Sequence, residues 1–122
     1  MNTNSERGSE RRQFVRYKLE ARADIVIDNQ VTEHGDVHDI STGGMFLRLE
    51  TEIPKKYLDK NVHALIYANA SGGEVTIEAG CSIVRTTPEG VALFFSSIDS
   101  TNRKILHDLI GELNDLVRDS RK

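Results

Sequence analysis

Two short stretches of the chain carry residue types that could recognise a ligand. Arg11-Arg12-Gln13-Phe14-Val15-Arg16 places three guanidinium groups within six positions. A planar guanidinium donates two parallel hydrogen bonds, so it fits a phosphate or the O6/N7 edge of guanine in a way that lysine does not. The plain alternative for such a cluster is solvated charge, and Phe14 within it reads as an anchor that docks the segment to the body rather than as a stacking platform. The second stretch is Asp39-Ile40-Ser41-Thr42-Gly43-Gly44. At a period of two, Asp39 and Ser41 face the same side, so a carboxylate acceptor and a hydroxyl can address one ligand together. Gly44 then lets the backbone turn and approach a neighbour closely, with no Cβ in the way. Here the plain alternative is a turn held by its own side chains.

Other reactive side chains lack companions. His38, Asp39 and Ser41 are close in sequence, but their side chains diverge, and the setting is not the strand-turn-helix elbow of a serine hydrolase. His34 and His38 could share a strand face, without a third metal ligand nearby. His63 and His107 have no evident partners. Cys81 falls on the apolar parity of its strand and reads as a core residue; being alone, it forms no internal disulfide and no thiolate cluster. The expectation is therefore a binding protein and not an enzyme, with no metal and no resident cofactor.

Positioning these stretches falls to a run of strands. From Lys18, Leu19, Ala21, Ala23, Ile25 and Ile27 alternate with polar residues, the pattern of a half-buried strand. Asp28-Asn29-Gln30 has turn chemistry, and a second strand runs from Val31 to Ile40 before Ser41-Thr42-Gly43-Gly44 breaks it. Met45, Leu47 and Leu49 mark a third strand ending near Pro54, with a loop or short helical turn over 54–60. Val62 to Ala68 and Val75 to Ile83 alternate on either side of Ser71-Gly72-Gly73, and Pro88-Glu89-Gly90 turns into Val91–Phe95. Six short strands without intervening helices predict an antiparallel sheet closed into a small barrel, which hides its edges. Ile105, Leu106, Leu109, Ile110, Leu113, Leu116 and Val117 then follow helical spacing, with Asp99 or Ser100 available as the cap.

Length and charge bound the rest. A chain of 122 residues, 38% apolar and 29% charged, suits one globular domain. No apolar run approaches the roughly 20 residues that cross a bilayer, and MNTNSERGSERR lacks a secretory core, so a cytoplasmic protein without membrane insertion is expected. Residues 1–22 carry six basic and three acidic side chains, +3, whereas the remainder carries ten basic and sixteen acidic, −6. Such a basic arm on an acidic body points to a local anionic ligand; general nucleic-acid binding is disfavoured, since +3 neutralises few phosphates.

With Arg12 and Arg16 in an RxxxR spacing preceded by Arg11, followed by Asp39, Ser41 and Gly44 in a (D/N)xSxxG spacing, the chain resembles the PilZ domain family of bacterial cyclic di-GMP receptors. Gly90-Val91-Ala92-Leu93-Phe94 is similar to the family's late strand, and the resemblance covers about residues 10–118. It implies a six-stranded antiparallel barrel with a C-terminal helix and a flexible basic N-terminal arm. The expected layout is a tail at 1–10, a domain at 11–118 with its barrel at about 18–96 and helix at about 99–118, and a tail at 119–122. It also implies cyclic di-GMP on the outer surface, in some family members as a stacked dimer. Arg11, Arg12 and Arg16 would form the clamp, Asp39, Ser41 and Gly44 the rim, and Ile83 would lie against a base. The output would be a changed surface read by a separate downstream protein. A PilZ-like interaction module with a vestigial nucleotide site is the alternative.

Overall fold

The computed structural model of the chain describes residues 20–120, with side chains through residue 115. Arg11, Arg12, Phe14 and Arg16 lie outside the described residues. The six expected strands are β1 (Ala21–Ile27), β2 (Val31–Ile40), β3 (Gly44–Arg48), β4 (Asn61–Ala70), β5 (Gly73–Thr87) and β6 (Gly90–Ser97), followed by helix α1 (Ser100–Ser120). All pair antiparallel in the closed order β1-β2-β3-β6-β5-β4, so every strand has two neighbours. The expected short turn between β3 and β4 is a 3-10 turn at Lys55–Tyr57.

Period-two sequence becomes interior packing. Ala23, Ile25, Ile27, Leu47, Ala64, Ile66, Ile77, Cys81, Ile83 and Val91 are buried, while the residues between them face outward or lie at the wall. Each buried Ile, Leu or Val side chain contributes roughly 1.5–3 kcal/mol over an exposed one. Burial also pushes the Cys81 thiol up to about 12, so it stays protonated among these side chains. The β1–β2 turn has Asp28 and Asn29 both at positive φ, 53° and 58°, with Gln30 N–H donating to Ile27 O at 2.9 Å. That is the primed geometry whose twist matches a hairpin, and Asn and Asp tolerate it well.

Helix α1 completes the core from outside the sheet. β5 continues toward Gly73 beyond its last pairing with β6, Gly80 with Ser97, and α1 packs along this overhang with Leu106 and Leu109 buried. Two polar ties set its position. Glu78 N–H donates to Asn102 Oδ1 at 2.8 Å, and Ser71 donates from N–H and Oγ to the Glu112 carboxylate at 2.9 and 3.1 Å. Asp99 is the N-cap, accepting from Asn102 N–H at 2.8 Å and from Asn102 Nδ2 at 3.0 Å. The Asn102 backbone N–H, and after it the side-chain amide, hold the Asp99 carboxyl below its ordinary value.

The β3–β6 seam is closed at one end by Gly90, where a Cβ would run into the Leu47 carbonyl oxygen. Gly90→Ala should destabilise the domain by about 1–3 kcal/mol in urea unfolding, as overpacking does. The cap carries a pH signature whose sign follows from the depressed carboxyl. Its contribution is present above the unfolded Asp value of about 3.9 and is lost as pH falls through the lower folded value. Asp99→Ala should therefore lower the melting temperature at neutral pH, and the gap from the parent should shrink below about pH 4.

Candidate functional site

The Asp39–Gly44 stretch spans the end of β2 and the start of β3, and a β-bulge shapes it. Val37 pairs with Leu47, yet Asp39 pairs with Phe46, which leaves His38 as the extra residue. A bulge resets which side chains point out. Val37 stays inside, His38 and Asp39 are both exposed, and Ile40 turns back toward the core. The following turn holds itself: Ser41 N–H donates to Gly44 O at 2.8 Å, and Gly43 N–H donates to Ser41 Oγ at 3.2 Å. Ser41 thus plays the self-stabilising turn role, while its hydroxyl remains on the exposed side. No donor among the described residues meets the Asp39 carboxylate, which faces solvent. Gly44 is required by close approach: a Cβ there would run into the Leu93 carbonyl oxygen on β6.

A second bulge lies across the wall, between Ile83 and Arg85 on β5, and it exposes Val84 and Arg85 in succession. Asp39 pairs with Phe46, Phe46 with Ala92, and Ala92 with Arg85, so these four outer positions form one row over four adjacent strands. The Arg85 guanidinium carbon is 5.8 Å from the centroid of the Phe46 ring, and His38 meets the same ring edge-on at 6.1 Å. Together with Ser41 and Gly44 these residues line an open pocket of about 400 Å³. An exposed carboxylate, an aromatic side chain and a forked cation in one row suit a planar heterocycle that bears adjacent N–H donors and acceptor edges.

A larger cavity of about 750 Å³ lies against β1 and β2, but Asp24, Glu33, Asp36, Glu50 and Glu89 line it beside Arg22 and Arg48. That carboxylate excess repels anions. Among the described residues no group of three or more His, Cys, Asp or Glu could hold a metal ion, and no helix is long and apolar enough to cross a membrane.

Of the sequence-predicted site residues, Asp39, Ser41 and Gly44 come together in the smaller pocket. Ile83 does not join them. Its side chain is 0% exposed in the barrel interior, so the expectation that it lies against a ligand on the outer wall is corrected. Arg85 and Phe46 line the pocket instead and were missed. The available signal was the polar run Arg85-Thr86-Thr87, which breaks the β5 alternation after Ile83.

Known proteins share this fold. A family model described as PilZ domain matches residues 10–112. Among solved structures, the PilZ domain with c-di-GMP of YcgR from Escherichia coli superposes with a TM-score of 0.57 at 14% identity, covering 88% of this chain and 98% of that chain. No curated protein matches the sequence.

Because Gly44 meets β6 backbone, Gly44→Ala should part the seam beside the pocket. An unfolding free energy lowered by about 1–3 kcal/mol in urea is expected, whereas Ser41→Ala, at an exposed turn, should cost less than about 1 kcal/mol.

Proposed function

The chain belongs to the PilZ domain family, and from that premise we propose that it is a cyclic di-GMP receptor with no catalytic step of its own. The observation that carries this reading is the Asp39 carboxylate, unmet by any described donor, in a row with Phe46 and Arg85 beside Ser41 and Gly44. A guanine presents two adjacent N–H donors to a carboxylate and an O6/N7 edge to a guanidinium. Cyclic di-GMP adds two phosphates, which the described pocket, with Arg85 beside Asp39 and Glu89, does not neutralise alone.

Arg11, Arg12 and Arg16 supply the missing charge in this reading. β1 and β2 pair with Arg22 opposite Asp36. Arg16 lies five residues before Ala21, the first residue of β1, so the arginine segment precedes the strand that pairs with β2. The +3 segment attracts a dianion before contact, and a neutralised arm folds onto the wall. Arg11, Arg12 and Arg16 clamp the phosphates and guanine edges, Asp39 and Ser41 address guanine, and Gly44 keeps the wall close. The changed outer surface is then read by a separate protein, in the cytoplasm.

Calorimetric titration tests the reading, with GTP and cyclic GMP as controls. Cyclic di-GMP should bind, and Arg12→Ala with Arg16→Ala should remove about 2–6 kcal/mol, most of the roughly 8 kcal/mol in a micromolar complex. Arg85→Ala should lose less, about 0.5–2 kcal/mol, since it removes one guanidinium from the floor. Silence at about 50 μM cyclic di-GMP would overturn the assignment.

A further inference from the structure

The bulge on β2 turns out one more side chain than the Asp39 carboxylate. His38, its extra residue, is exposed beside Asp39 and lines the same pocket as Ser41, Gly44 and Arg85. The His38 ring meets the Phe46 ring edge-on, with centroids 6.1 Å apart, and the Arg85 guanidinium carbon lies 5.8 Å from the Phe46 centroid. Phe46 therefore has an imidazole from β2 and a guanidinium from β5 against it. The other two strand histidines are occupied. His34 Nδ1 donates to Asp24 Oδ1 at 2.7 Å, and His63 Nε2 donates to Glu78 Oε2 at 2.6 Å. His38 has neither a hydrogen bond nor an ion pair among the described residues, so its ring nitrogens are open to a ligand.

The charges around this ring are few. On β2 the pocket holds the Asp39 carboxylate, on β5 Arg85, and in the β5–β6 turn Glu89. On β3 the charged residue is Arg48, which pairs with Asp36 and lines the other cavity. Ahead of β1, the Glu20 carboxylate is engaged on the β4 side, accepting from Asn69 Nδ2 at 3.2 Å. Carboxylates and guanidiniums keep their charge between about pH 6 and about pH 8, whereas an imidazole ordinarily changes its own there. His38 is thus the group in this pocket whose charge pH can set. When protonated it adds a second cation to a pocket in which Asp39 and Glu89 otherwise outnumber Arg85.

We propose that His38 is a ligand-contacting residue of the site, whose imidazolium donates a hydrogen bond to a phosphate of cyclic di-GMP, so that binding takes up a proton. The inference rests on the receptor reading and adds a pH dependence to it. A bound anion favours the charged form of an imidazole beside it. Binding therefore draws in a proton, and by linkage affinity rises as pH falls.

Calorimetric titration of the full chain with cyclic di-GMP at about pH 6, 7 and 8 tests it. Affinity should rise roughly three- to tenfold from about pH 8 to about pH 6. Buffers of different ionisation enthalpy should show a fraction of a proton taken up per ligand bound near neutral pH. His38→Gln keeps a polar side chain but does not titrate, so its affinity should change less than about twofold over the same range, with no proton uptake. His34→Gln and His63→Gln, outside the pocket, should keep the parent's slope. Imidazole nitrogen shifts of the parent locate the proton without any variant: the titration of His38 should move to higher pH with ligand, and those of the other histidines should stay. A flat parent profile, a slope that survives His38→Gln, or an unmoved His38 titration overturns the contact and leaves the receptor reading standing. A parent that gives no heat at any of these pH values overturns the receptor reading and this contact with it.

Discussion

The approach of β3 to β6 is the constraint on which the architecture depends. These strands are distant in sequence, and their pairing, together with that of β1 and β4, turns a row of hairpins into a closed wall. At both ends of the seam a glycine lies so near the opposite backbone that no Cβ fits: Gly44 against Leu93, Gly90 against Leu47. Closure leaves no free edge and encloses the aliphatic interior. The same seam also carries the middle of the outer row that lines the candidate pocket, Phe46 and Ala92. Scaffold and site therefore share one set of backbone contacts.

Around that seam the two bulges divide the work of each strand. An unbroken strand would commit every second residue to the core, yet on β2 the residues His38 and Asp39 both face out, and on β5 so do Val84 and Arg85. These strands flank the β3–β6 pair, so the bulges place a carboxylate and a guanidinium at opposite edges of one pocket without breaching the interior. Charge is arranged on a larger scale too. Five carboxylates line the other cavity, whereas Asp39 and Glu89 line the motif pocket beside Arg85.

The legibility of the fold followed its periodicity. β2 was readable from Val31 to Ile40 because turn residues bracket it, and α1 was readable because Leu106 and Leu109 recur at helical spacing with Asp99 before them. Barrel closure followed from six strands lacking helices between them. What escaped was anything created by a break in period two. β5 runs on to Thr87, past Ile83, and the bulge that separates Ile83 from Arg85 is a backbone event with no residue of its own to announce it. Ile83 shares its parity with Ala79 and Cys81, and that alternation puts it inside, against what the resemblance implies. Arg85 went unnoticed because of that bulge. Ser41 and Gly44 were legible because each serves a local need, a turn and a close approach, and Asp39 because it stands two residues before Ser41.

Cys81, sealed among aliphatic side chains with its proton held to about 12, leaves the folded chain without a reactive native thiol at neutral pH. A spin label or fluorophore carried on a cysteine introduced at the outer wall would therefore report from that place alone, with the natural thiol left where it is.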